Sequence, residues 1–254
     1  IIDDWIARKD GEAKLVATAY SEFFVTARKD LDFRMALEGA DLVTPDGVGP
    51  LAAIHFAGIV APSDNAAVRL FKGLLTGAAI LSGKVGQPVS GYWLFKTLVK
   101  QAAERKQRVF LLGGFGETAM RLAEKLGAEN SGLIIEADAG AQSAVEMAGE
   151  ANEVVLARIN KFRPDFLFVA YGPVKQEKWL VANRGKLVAR VAMGVGGTFD
   201  EALGLVKEAP VFFERSGIKW LWRLLQQPRR LPRVFTATFV FACLVFAESL
   251  RKKG

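Results

Sequence analysis

Arg108-Val109-Phe110-Leu111-Leu112-Gly113-Gly114-Phe115-Gly116-Glu117-Thr118-Ala119 is the stretch that decides the fold. Its first part is an uninterrupted apolar run of strand length, as expected for a strand buried on both faces. Three glycines then free the backbone to turn tightly, and residues 117–126 continue with helical spacing. Strand, glycine-rich exit and helix make one βα unit. Outward from it the same alternation recurs, with further strands predicted at 14–17, 41–44, 132–136, 165–170 and 187–193 beside 108–112. Residues 194–198 form a second glycine-rich exit before the helical pattern of 199–203.

The fold class that follows is α/β: a Rossmann-like, mainly parallel sheet flanked by helices, with ligands expected beyond the carboxyl ends of the strands. The chain has 254 residues, 51% of them hydrophobic and 24% charged, enough for one large domain or one domain with an appendage. Cys243 is its single cysteine, which excludes a disulfide framework and a thiolate metal cluster, and His55 is its single histidine, which makes Ser-His-Asp chemistry an uneconomical reading. No metal site and no cofactor is expected. The opening Ile1-Ile2-Asp3-Asp4, without Met or an apolar signal segment, reads as a trimmed chain of the cytosolic side.

Charge divides the chain near residue 206. Ten Lys and Arg against three Glu in residues 207–254 account for the whole net charge of +7, and residues 1–206 balance at zero. The tail also holds an uncharged, largely apolar run, 234–247, with Arg229, Arg230 and Arg233 before it and Arg251, Lys252 and Lys253 after it. Such a pattern points to an anionic membrane surface and not to nucleic acid. As a helix the run reaches only about 21 Å, short of the roughly 30 Å hydrocarbon core, so it reads as lying in the interface or packing on the core. Pro228 and Pro232 are expected to break the tail into short helices. The domains predicted are therefore a catalytic 1–206 and a basic amphipathic appendage 207–254. A further helix over residues 65–84, with Arg69, Lys72 and Lys84, reads either as an ordinary covering helix or as a surface excursion that touches lipid.

Four motifs can carry chemistry. Thr44-Pro45-Asp46-Gly47 ends a strand in a carboxylate between proline and glycine, where Asp46 can serve as a general base or merely cap a turn. Gly113, Gly114 and Gly116, with Glu136 further on, match the Gly-x-Gly-x-x-Ala form of a dinucleotide fingerprint; together with Gly196 in the second exit they can approach a pyrophosphate or provide close packing. Lys175 and Gln176, in the first turn of a helix after the strand 165–170, can meet a phosphate and a base or sugar hydroxyl, or stay solvated. Arg223, Arg230 and Arg233 fall at intervals that stack them on one helical face, suited to one diphosphate or to lipid headgroups.

In this order the motifs resemble the WecG/TagA/CpsF family of membrane-associated glycosyltransferases, from about residue 15 to residue 233. The resemblance rests on the strand exit Thr18-Ala19-Tyr20-Ser21, the Pro45-Asp46-Gly47 loop, Leu112-Gly113-Gly114, Lys175-Gln176-Glu177 followed by Trp179, Gly194-Val195-Gly196-Gly197, and the Trp220 to Arg230 appendage. It implies an inverting, metal-independent transferase that moves an N-acetylmannosamine-type sugar from a UDP-sugar to a polyprenyl-diphosphate-linked N-acetylglucosamine. It also implies that Asp46 is the base with Thr18 in the same pocket, that Gly47, Gly113, Gly114, Lys175, Gln176 and Gly196 contact substrate, and that Arg223, Arg230 and Arg233 meet the diphosphate. The enzyme would be peripheral on the cytoplasmic membrane face, and a homo-oligomer is left open.

Departures from the family pattern fall at Tyr20 and Ser21 for Asn-Pro, at Pro88 for an Arg, and at Gly172-Pro173-Val174 for Gly-Ala-Pro. An N-terminal strand that family members carry is missing. Two rivals remain at this level: an NAD(P)-dependent dehydrogenase built on Gly114, Gly116 and Glu136, and a membrane-recruited nucleotide-binding module without catalysis.

Overall fold

A computed structural model describes residues 1–8, 11–141, 143, 146–147, 149–207, 209–210, 213 and 219–251, apart from the side chains of Lys219, Arg223 and Arg230. The chain folds as two compact units. One comprises Ile1–Thr18, Asp32–Val43 and Gly91–Glu208; the other comprises Ala19–Leu31, Thr44–Ser90 and Ala209–Gly254. The last break lies close to the one read from the charge balance. Two earlier segments nevertheless group with the tail, because their apolar helices pack with it.

The first unit is built on a six-stranded sheet: β1 (Lys14–Ala19), β2 (Leu42–Pro45), β3 (Arg108–Gly113), β4 (Ile134–Asp138), β5 (Phe166–Ala170) and β6 (Val191–Gly194). Their order is β2-β1-β6-β5-β3-β4, and the registers resolved from β1 to β4 through β6, β5 and β3 are all parallel. Every predicted strand is present. The sixth starts at Val191 and not at 187, because Arg184–Lys186 form a 3₁₀ turn and Leu187 and Ala189 drop into the core as irregular backbone.

Strand alternation sends successive side chains to opposite faces. Val109, Leu111, Phe166, Phe168, Val191 and Met193 pack under one helical layer, which includes Thr118–Glu129 and Gly91–Glu104. Phe110, Leu112, Leu167, Val169 and Ala192 pack under the other, with Glu150–Phe162 and Lys175–Asn183. Burial on both faces explains why β3 and β5 read as continuous apolar runs and not as alternating ones.

The second unit is helical. Ser21–Ala27, Val48–Ile59 and Ala66–Leu81 pack against the final helix, in which Phe241 is buried with its ring centroid 5.9 Å from that of Phe24. The final helix corrects the sequence reading. It is continuous over Leu231–Arg251, 21 residues with a π-helical stretch at Thr236–Val240, and is long and apolar enough to cross a membrane by length and composition. Pro232 does not break it, because it falls in the first helical turn, where its missing N–H has no intrahelical partner to lose. Helical residues flanking the uncharged run supply the added length.

Arg69, on the helix read either as an ordinary covering helix or as an excursion that touches lipid, is 2% exposed. Its guanidinium donates to the carbonyls of Asp64 (2.8 Å), Ala61 (3.2 Å) and Pro62 (3.0 Å), and to that of Ser249. It thereby ties the end of the last helix to the turn before Ala66–Leu81. Lys72 also turns inward, onto Asp64 at 2.6 Å.

Candidate functional site

The helix after β3 covers one face of the sheet and the helix after β5 covers the other, although β3 and β5 are neighbours. Their exits therefore diverge and leave a crevice at the carboxyl ends, the place where open parallel sheets bind ligands. A cavity of about 300 Å³ lies there, lined among others by Gly114 from β3, Tyr171, Gly172 and Lys175 from β5, and Gly196 and Asp200 from β6. Its volume is at the lower end for small-molecule sites. Gly114, Lys175 and Gly196, three of the residues singled out in the sequence, are thus brought together by strands far apart in the chain. Lys175 is exposed and places a cation at the cavity, with the carboxylate of Asp200 in the same lining.

Gln176 is buried beneath this lining. Its Oε1 accepts from the Gly196 N–H at 2.9 Å, and its Nε2 donates to Glu177 Oε1 at 2.7 Å. Gln176 therefore fixes the shape of the β6 exit by a hydrogen bond across the crevice. Glu177, which the sequence reading passed over as part of a solvated first turn, is 4% exposed. Its second oxygen accepts from the Val174 N–H at 2.7 Å, and Val174 has φ +74°, a strained conformation for a β-branched residue. Burial pushes the Glu177 carboxyl up to about 7, while the hydrogen bonds from Gln176 and Val174 pull the other way. Gly194 must be glycine, since a Cβ there would lie 2.7 Å from both side chains. The sequence signal for Glu177 was its place at the third residue of the helix, three after the N-cap Val174.

Tyr171 forms another wall. Its hydroxyl accepts from the Ala141 N–H at 3.1 Å and its ring meets Trp179 edge-on, with centroids 5.5 Å apart. Burial pushes the phenol up to about 12, so it stays protonated. The ring occupies the space a Cβ at Gly113 would need, 2.9 Å from Tyr171 Cδ1. A Cβ at Gly114 would meet Thr118 Cβ at 2.8 Å. Gly113 is thus a packing glycine, while Gly114 both packs and lines the cavity. Glu136 sits in the middle of β4, exposed and paired with Phe110, away from the strand end where a dinucleotide fold places its ribose-binding acid.

The second unit holds the loop around Asp46. The Asp46 N–H donates to the Ala19 carbonyl at 2.9 Å and the Pro45 carbonyl accepts from Val89 at 2.9 Å, so the loop is clamped on both sides. Gly47 has φ +84°, which accounts for glycine after the carboxylate. Asp46 is half-buried, and Thr44, two residues earlier, is buried with its hydroxyl unpartnered among the described residues. Arg233 makes a forked pair with Glu22, Nη2 and Nε lying 2.9 and 3.0 Å from Oε2, and donates to the Tyr20 hydroxyl at 2.8 Å. Tyr20, one of the departures from the family pattern, therefore contacts one of the appendage arginines. Burial works against the Arg233 charge, and the contacts with Glu22 and Tyr20 outweigh it, holding its pKa above the usual arginine value. Thr18, in the first unit, is buried in β1. The side chains of Arg223 and Arg230 lie outside the described residues.

A parallel sheet with a cavity at its strand exits, in a chain that also has a helical unit exposing apolar side chains, defines a class of α/β proteins that bind small molecules beyond the strand ends. The chain belongs to the glycosyl transferase WecG/TagA/CpsF family, whose model matches residues 1–80 and 72–254. A relative from Bacillus subtilis (strain 168) is 27% identical over 239 residues, covering 94% of this chain and 81% of its own length. One from Bacillus spizizenii is 28% identical over 231 residues, 87% and 74% respectively. One from Staphylococcus aureus (strain MRSA252) is 30% identical over 163 residues, 63% and 62%. All three are named N-acetylglucosaminyldiphosphoundecaprenol N-acetyl-beta-D-mannosaminyltransferase. Family membership displaces the dehydrogenase reading, in agreement with the placement of Glu136.

Proposed function

We propose that this chain transfers an N-acetylmannosamine-type sugar from a UDP-sugar to N-acetylglucosamine carried on a polyprenyl diphosphate, with inversion, without a metal ion or cofactor, at the cytoplasmic face of the membrane. The observation that carries the reading is the cavity at the strand exits in a chain of this family, with Gly114, Gly196 and Lys175 in its lining. The close backbone approach that glycines at the strand exits allow, together with a lysine, suits a nucleoside diphosphate. Asp200 and Tyr171 add an acceptor and a hydroxyl for the nucleoside.

In the reaction proposed, the acceptor hydroxyl attacks the anomeric carbon of the donor. The new C–O bond forms as the bond from that carbon to the diphosphate breaks, and UDP leaves with the electron pair. Asp46 takes the hydroxyl proton, and Thr18 is assigned to the same step as a polar contact. Arg233, with Arg223 and Arg230, stabilises negative charge on a diphosphate by forked, charge-assisted hydrogen bonds. In the structure Glu22 occupies Arg233 in the way a diphosphate would, so binding exchanges one anion for another.

The test is Asp46→Asn, assayed with UDP-N-acetylmannosamine and a short-chain lipid-diphosphate N-acetylglucosamine. Transfer should be abolished while UDP affinity, read by thermal shift, stays close to wild type; unchanged turnover overturns the role of Asp46. Stabilisation by NAD but not by UDP or UDP-sugars would overturn the donor class. Parallel assays with the uronic acid donor and UDP-glucose identify the sugar.

A further inference from the structure

Ala66–Leu81 is an inside-out helix. Each of its residues that is exposed is apolar, including Leu70 (58%), Phe71 (60%), Leu74 (68%) and Leu81 (86%). Its polar side chains point the other way: Arg69 and Thr76 are buried, and Lys72 is held by Asp64. At 100° per residue, positions 68, 70, 71, 74, 75 and 81 share one face. A surface helix of a water-soluble protein is expected to be arranged the opposite way. Asn65 accepts from the Val68 N–H at 3.0 Å as a regular N-cap, and Arg69 locks the inner face, so the orientation is fixed by specific bonds.

We propose that this helix is a membrane-inserted element, its apolar face buried in the outer part of an anionic bilayer alongside the final helix. Two observations favour lipid over a protein partner. Protein interfaces carry polar side chains around an apolar centre, whereas no polar side chain is exposed along this helix. The neighbouring helix Leu231–Arg251 packs beside it and is tied to it through Arg69 and Ser249. That neighbour exposes Phe235 and Phe239, and Arg229 before it and Arg251 at its end flank its uncharged length. An apolar band with cations at its ends matches an interface of hydrocarbon and anionic headgroups. The proposal rests on the lipid-linked acceptor of the proposed function for the choice of membrane. It adds that residues 66–81, and not the tail alone, seat the enzyme.

The test uses the full chain with Leu70→Gln, Phe71→Gln and Leu74→Gln combined, floated with vesicles of phosphatidylglycerol and phosphatidylethanolamine at low and high salt. Each replacement is expected to lower partitioning about tenfold, and the triple variant by more than a hundredfold. High salt should weaken wild-type binding without abolishing it, since the apolar part is not screened. Near-ultraviolet circular dichroism verifies folding, and turnover of a water-soluble acceptor analogue verifies the active site. Lost vesicle binding with turnover retained supports the proposal. Vesicle binding equal to wild type overturns it, and so does a wild-type dimer that the triple variant dissociates in the absence of lipid. Loss of turnover in the wild-type chain itself would instead count against the proposed function, leaving the vesicle result to stand separately.

Discussion

Replacing Glu177 by Gln removes the titration of a buried carboxyl while keeping its shape. Burial raises that carboxyl from an ordinary 4.5 to about 7 in the folded chain. The folded state thus holds the proton more tightly than the unfolded state. The stability this confers is fully present below about pH 4.5 and is lost as pH rises through about 7. At 1.36 kcal/mol per pKa unit, wild type should lose about 3 kcal/mol relative to Glu177→Gln across that window, then run parallel to it above. A separate offset, independent of pH, is expected because Gln offers one acceptor oxygen to two donors, Val174 N–H and Gln176 Nε2; one unsatisfied donor costs about 1–3 kcal/mol. The two effects separate cleanly: urea unfolding of both proteins at several pH values gives the offset from the low-pH plateau and the titration from the slope. Tryptophan fluorescence, to which Trp179 contributes with four others, follows the transition; the Trp179 indole N–H donates to Asn152 Oδ1 at 2.6 Å in the same buried layer. A difference in stability that does not change between pH 4.5 and 8 would refute the assignment of Glu177 as a buried carboxyl near neutrality.

Gly140→Ala should cost about 2–4 kcal/mol, because φ is +62° and the added Cβ would run into the Tyr171 hydroxyl and lie 2.8 Å from Leu112 Cδ1. UDP affinity should fall at least about tenfold as Tyr171 moves; unchanged thermal stability and unchanged UDP binding would exclude Tyr171 as a cavity wall. Arg69→Met should destabilise the helical unit by about 3–5 kcal/mol, since four carbonyls lose a buried charged donor. Limited proteolysis within residues 231–251 should become faster, and wild-type cleavage rates would show that Arg69 does not hold the last helix.

The parallel sheet could be read from the sequence because its strands are buried on both faces, which leaves apolar runs too short for helices and closed by glycine. Exit loops were equally legible at Gly114, Lys175 and Gly196, since ligand sites of such sheets lie where strands end. Glu177 was not, because charge in a first helical turn normally faces water, and only the pairing of β5 alongside β6 puts this carboxyl against Gly194. The packing of Gly113 and Gly114 was similarly hidden: positive φ can serve a ligand or a close neighbour, and only the fold puts the Tyr171 ring and Thr118 where their Cβ atoms would be.

The family, the alternation of strands and helices, and the gathering of positive charge in residues 207–254 were determined by the sequence alone, because each is a local or compositional property. Tertiary structure decided where the polar groups of residues 65–84 face. Periodicity finds two faces on Ala66–Leu81 but not which one turns inward; the carbonyls of Ala61, Pro62, Asp64 and Ser249, gathered from two distant segments, draw Arg69 in and leave the leucines outside. It also decided the length of the last helix, since only the fold shows Pro232 in a first turn, where its missing N–H has no helical partner to lose.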